Sequence, residues 1–133
     1  ESGILLTTEF DDNFRLTGDA TQLQQVVLNL VNNAIDAMVE NRTRYPHLKI
    51  RGKVSGDFLS LAVEDNGKGI EPERQDDVFN LFKTSKSQGM GVGLWLSRSI
   101  VEMHGGQLTF ESDPGHRTVF TLRLPSLDNS LLA

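Results

Sequence analysis

Asn29 and Asn33 stand four residues apart in the run Gln25-Val-Val-Leu-Asn29-Leu-Val-Asn-Asn33-Ala-Ile-Asp36, so on a helix they share one face. On a helical wheel they fall on the shoulder of an apolar stripe, with Gln22 and Asp36 flanking them. A neutral amide oxygen is a hard ligand. It suits Mg²⁺, which keeps several waters and borrows phosphate oxygens. On the helix alone, ordinary polar residues at a helix edge would look the same.

A second cluster, Asp65-Asn-Gly67-Lys-Gly69, narrows the choice. Glycines at alternate positions let the backbone turn tightly and approach a ligand, and a carboxylate there can accept from an exocyclic amine such as that of adenine. A calcium loop would need more oxygens at alternate positions and a closing Glu, which this stretch lacks. Further on, Gly89-Met-Gly91-Val-Gly93-Leu94 runs into a helix, where unpaired N–H groups and the helix dipole favour an anion. No strand precedes this run, which excludes a dinucleotide-binding βαβ unit. No Gly-Lys-Ser/Thr follows, which excludes a Walker loop. Lys83, Thr84 and Lys86 precede it, within reach of phosphates; a solvated loop is the plainer alternative for each. Together the clusters describe a pocket for a nucleotide and its metal.

Elements must bring these residues together. A chain of 133 residues fits one domain with its own core. The absence of cysteine removes zinc-finger, thiol-nucleophile and disulfide-scaffold readings. The net charge of −5 argues against a nucleic-acid surface but not against ATP. No apolar run approaches a membrane span, and no direct membrane contact is expected. Ile4 to Phe10 reads as extended, Asp11 to Asn13 as a turn and Phe14 to Thr17 as a short partner strand. Asp19 is placed as the N-cap of a long helix, with Gln22 completing a capping box. Leu23, Val26, Val27, Leu30, Val31, Ala34 and Met38 form its buried stripe, and Pro46 forbids continuation. Leu48 to Val54 and Phe58 to Glu64 read as a hairpin. Glu71 to Ser87 is polar, with an apolar island at Val78, Phe79, Leu81 and Phe82. Gly93 to His104 reads as a largely buried helix stopped by Gly105-Gly106. Gln107 to Glu111 and Thr118 to Leu124 flank a turn at Asp113-Pro-Gly115. The expected architecture is a two-layer α/β sandwich: a mixed, mostly antiparallel sheet of about five strands on about three helices, spanning 1–125, with a tail at 126–133.

With these motifs in place, the chain resembles the catalytic, ATP-binding domain of two-component sensor histidine kinases, within the superfamily that includes gyrase, heat-shock chaperone and mismatch-repair ATPases and has the Bergerat-type fold. Asn29 and Asn33 resemble its N box, Asp65, Gly67 and Gly69 its first glycine box, and Phe79 and Phe82 its F box. Gly89, Gly91 and Gly93 resemble its second glycine box, at the end of a mobile lid, and Gly115, Thr118 and Phe120 its last box. Asn33-Ala-Ile-Asp-Ala, Phe82-Lys-Thr-Ser-Lys86 and Val101-Glu-Met-His-Gly-Gly106 are similar to nitrogen-regulation and oxygen-sensing kinases. The resemblance implies Mg²⁺ on Asn33, the adenine amine on Asp65, and catalytic parts for Asn29, Asn33 and Lys86. It implies further nucleotide contacts from Asp36, Gly67, Gly69, Ile70, Phe82, Lys83, Thr84, Gly89, Met90, Gly91, Val92, Gly93, Leu94 and Thr118. Three positions depart from the pattern. Asp36 replaces a phosphate-binding Lys, Arg117 rather than Gly precedes Thr118, and Trp95 replaces a small residue.

The resemblance also bears on the reaction. ATPase relatives carry a water-activating Glu four residues before the metal Asn; here that position is Asn29, which is no base at neutral pH. Transfer of the γ-phosphoryl group to a histidine is therefore favoured over hydrolysis. An ATP-hydrolysing or protein-serine kinase member, and a non-catalytic nucleotide-binding module, are the alternatives. His47, His104 and His116 lack the phosphoacceptor context, and His104 reads as a helix C-terminal cap. The dimerisation and phosphoacceptor helices are expected upstream of Glu1, in a longer homodimer that serves a response regulator; the location is expected to be cytoplasmic, with room for a membrane anchor further upstream. The fragment itself is expected to be monomeric.

Overall fold

The computed structural model describes residues 3–80 and 93–126. In chain order these form strand β1 (Leu5–Phe10), helix α1 (Ala20–Glu40), strands β2 (His47–Ser55) and β3 (Phe58–Asp65), and a single helical turn α2 (Pro72–Gln75). Helix α3 (Gly93–Met103) and strands β4 (Gln107–Asp113) and β5 (Arg117–Pro125) follow. The five strands make one sheet in the order β1-β2-β3-β5-β4, antiparallel except for the parallel β1–β2 pair. Helices on one face complete the two-layer sandwich.

The central strand β3 explains the layering. Leu59, Leu61, Val63 and Asp65 are buried in strict alternation and face the helices. Leu23, Val26, Leu30, Ala34 and Met38 of α1 return that packing at helical spacing, and Val101 of α3 and Leu122 and Leu124 of β5 close the core. The buried stripe of α1 ends where Arg42 takes a left-handed φ of 53° and the Thr43 N–H donates to the Met38 carbonyl.

Three expectations need correction. Phe14 to Thr17 is not a strand: β1 pairs with β2 in parallel, Leu5 opposite His47, with α1 as the crossover that parallel pairing requires. Phe14 instead lies against Phe10, ring centroids 5.3 Å apart. The capping box is only half made. Asp19 accepts from the Gln22 N–H at 3.0 Å, but its own N–H donates to His104 Nε2 at 3.1 Å. His104 Nδ1 faces the Ile100 carbonyl at 2.8 Å, so this imidazole joins the end of α3 to the start of α1. Lastly, α3 is only half-buried. Ser97, Ile100 and Val101 are covered, while Trp95 is 43% and Met103 75% exposed, because α3 packs chiefly on α1, β4 and β5 with one side.

Candidate functional site

The Asp65 carboxylate is the most constrained group of the site. It ends β3 on the helix-facing side, 2% exposed, directly opposite the equally buried Thr118 of β5. Burial pushes its pKa from 3.8 up to about 6; an accepted bond from the Gly67 N–H at 2.8 Å opposes this shift, and the neighbouring Glu64 charge adds to it. A carboxylate in so dry a place is costly unless it has something to bind. Only Oδ1 is engaged by that backbone bond.

Glycine shapes the space beside it. A Cβ on Gly67 would come within 2.9 Å of the Ala37 backbone, so the turn lies directly on α1. Gly69 adopts φ +74°, and a Cβ there would approach the Asp113 carbonyl at 2.6 Å. Across the same gap the Ile70 N–H donates to Ser112 Oγ and the Gly115 N–H to the Lys68 carbonyl, each at 2.6 Å. The Asp65 turn is thus clamped between α1 and the β4–β5 hairpin. Gly69→Ala is expected to destabilise the domain by about 1–3 kcal/mol through strain and a forced neighbour. A lowered urea midpoint would register this, whereas an unchanged one would show that the hairpin yields freely.

The other end of the site lies along α1. Asn29 donates from Nδ2 to the Gly93 carbonyl at 3.3 Å and to Ser97 Oγ at 3.1 Å. Asn29, Asn33 and Ala37 follow one another at four-residue intervals on one edge of the helix. That edge therefore touches the first turn of α3 at Asn29 and the Asp65 turn at Ala37, about 12 Å apart at the helical rise. Half-buried Asn33 stands midway. The N-terminus of α3 supplies the positive end of a helix dipole at the Asn29 end.

The structure brings Asn29, Asn33, Asp36, Asp65, Gly67, Gly69, Ile70, Gly93, Leu94 and Thr118 around this edge and the adjoining strand ends. Ile70 and Leu94 pack on the core rather than standing free. Phe79 is anchored on Phe110 and Phe120, with the Arg98 guanidinium 5.3 Å from its ring centroid. Arg117 points to the opposite face of the sheet, toward Glu64 at 3.7 Å, so its side chain does not crowd Thr118. Phe82, Lys83, Thr84, Lys86, Gly89, Met90, Gly91 and Val92, and with them most of the expected lid, lie outside the described residues. Two polar partners were not singled out from sequence: Ser97, which breaks the apolar face of α3, and Ser112, the penultimate residue of β4 beside the turn.

Among the described residues no group of three or more His, Cys, Asp or Glu side chains could hold a metal ion. The donor chemistry here fits Mg²⁺ held by one amide plus phosphates and water. A cavity of about 590 Å³ lies elsewhere, lined by Leu16, Leu23, Val27, Leu28 and Val31, and its apolar walls suit no phosphate. No helix among the described residues is long and apolar enough to cross a membrane.

The profile of the "Histidine kinase-, DNA gyrase B-, and HSP90-like ATPase" family matches residues 18–128. The chain is 37% identical over 112 residues to the sensor protein FixL of Bradyrhizobium diazoefficiens, covering 84% of this chain and 22% of that protein. It is 34% identical over 136 aligned positions to the sensory histidine kinase/phosphatase NtrB of Vibrio alginolyticus, covering 96% and 39%. The chain thus spans well under half of these curated relatives. Among solved structures, a nucleotide-free catalytic domain of histidine kinase ThkA superposes with a TM-score of 0.80 at 31% identity, covering 92% of this chain and 79% of that one.

Proposed function

The chain belongs to the histidine kinase-, DNA gyrase B- and HSP90-like ATPase family as a histidine-kinase-type catalytic domain, and we propose that it binds Mg-ATP and transfers the γ-phosphoryl group to a histidine. The acceptor belongs to a dimerisation and phosphoacceptor domain, and a response regulator receives the group in turn. The work is cytoplasmic.

One observation carries this reading: a single edge of α1 meets a buried, ligand-poised carboxylate at one end and a helix N-terminus at the other. That arrangement gives the site a polarity. The adenine amine donates to Asp65 beside Thr118, and the phosphates extend past Asn33 toward α3. Mg²⁺ on Asn33 would offset phosphate charge and orient the oxygens. The attacking imidazole nitrogen forms a bond to the γ-phosphorus as the bond to the ADP oxygen breaks. ADP leaves, and the imidazole proton passes to solvent.

Asn29 also bears on the choice between histidine and water. Its amide nitrogen is committed to Gly93 and Ser97, and a neutral amide accepts no proton from water at pH 7. A histidine is a sufficient nucleophile without such help. Mixing the chain with an acceptor-helix fragment and Mg-ATP is expected to give acid-labile phosphohistidine on the fragment, together with ADP. Free phosphate released equally with and without the acceptor would make it an ATPase. An acid-stable phosphoester would make it a serine kinase, and ATP binding without turnover a binding module.

A further inference from the structure

Among the described residues, the buried polar side chains are Asp65, Thr118 and Ser97. Asp65 and Thr118 face each other at the proposed adenine end. Ser97 stands at the opposite end, 0% exposed, on the core-facing side of α3. An alanine would fill almost the same space, and a buried hydroxyl is costly unless it is bonded. Its oxygen accepts from Asn29 Nδ2 at 3.1 Å.

The bond fixes more than a contact. Gly93 and Ser97 are one helical turn apart, so the Gly93 carbonyl and the Ser97 hydroxyl present two acceptors to one amide. A carbonyl cannot donate, so the NH₂ of Asn29 must be the group that faces α3. The Asn29 carbonyl oxygen is thereby turned away from α3, and the first turn of α3 is held against the same edge of α1 that carries Asn33. Without Ser97 one amide hydrogen loses its acceptor, and only the longer bond to the Gly93 carbonyl still holds the amide.

We propose that Ser97 is a positioning residue for the phosphate end of the site: it takes the second hydrogen of the Asn29 amide, and so steadies that amide and holds the start of α3 against the α1 edge that carries Asn33. The inference rests on the nucleotide reading above, but not on histidine as the acceptor. A purely structural serine would matter equally to all ligands. A positioning serine matters only to those with phosphates.

The test compares Mg-ATP, by calorimetry, with adenosine, by NMR titration, in the parent chain, S97A, N29A and the double variant. S97A is expected to weaken Mg-ATP at least tenfold while leaving adenosine affinity within twofold. The double variant should bind Mg-ATP no more weakly than N29A alone, because Ser97 acts through Asn29. In the nucleotide-free chain, S97A should also shift the Asn29 side-chain NH₂ resonances. S97C, a weaker acceptor of similar size, provides the same comparison if S97A folds poorly. Unchanged Mg-ATP affinity, equal losses for both ligands, or losses that multiply in the double variant would each overturn the proposal. A parent that binds neither ligand would overturn the nucleotide reading itself; a parent that binds Mg-ATP but phosphorylates no histidine would overturn only the reaction.

Discussion

Asp65→Asn is expected to weaken ATP binding while making the nucleotide-free domain more stable at pH 7. The two effects have one cause. The carboxylate is 2% exposed and its pKa is raised to about 6, so burial penalises the charged form. A group whose pKa is higher in the folded than in the unfolded state contributes stability fully present below the unfolded value, here 3.8, and lost as pH rises through about 6. At pH 7 the ionised side chain therefore costs the empty domain up to about 3 kcal/mol. An amide removes that cost, and its oxygen can still accept from the Gly67 N–H. What it would lose is the charge-assisted bond that the proposed reading assigns to the adenine amine, about 1.5–3 kcal/mol of binding. Thermal unfolding without nucleotide should show a higher midpoint for the variant at pH 7, with the gap closing toward pH 4. Adenosine, which has no phosphate to titrate near neutrality, should bind the parent more weakly as pH falls through about 6 and bind Asp65→Asn without that dependence. A variant that is less stable at pH 7 would mean that Asp65 is held by favourable contacts rather than poised for a ligand.

Asn33→Ala is expected to have the larger effect on turnover. Asn33 is half-buried midway along the α1 edge, and alanine is the better helix former, so the fold should survive. Metal-assisted charge stabilisation is worth several kcal/mol, so phosphotransfer should fall on the order of a hundredfold or more. The Mg²⁺ dependence of ATP affinity should vanish, while affinity in the presence of a chelator stays as in the parent. Retained Mg²⁺ dependence in a folded variant would remove Asn33 from the metal site.

Particular residues show what was legible in the sequence. The Asp65-Asn-Gly67-Lys-Gly69 turn was readable because its chemistry is local: an acid at a strand end, with glycines where a backbone must approach closely. The stripe of α1 and the hairpins were readable for the same reason, since periodicity and turn residues act within a few positions. The pairing of β1 with β2 was not, because parallel partners meet only after a crossover and nothing near Leu5 names His47. His104 was readable as a helix terminator, but its bond to the Asp19 N–H spans 85 residues. Ser97 was hidden in the same way. A single hydroxyl on an apolar helix face gives no sign of the amide 68 positions earlier that it holds.

The central claim is that the buried Asp65 reads adenine. Calorimetric titration of the chain with Mg-ATP and Mg-GTP at pH 7.5 tests it most directly. Guanine offers a carbonyl oxygen where adenine offers its amine, so a carboxylate that accepts from adenine must repel guanine. ATP should bind at least about tenfold more tightly than GTP, the equivalent of about 1.4 kcal/mol or more, and the preference should collapse in Asp65→Asn. Equal affinities of the parent chain for the two nucleotides would contradict the account.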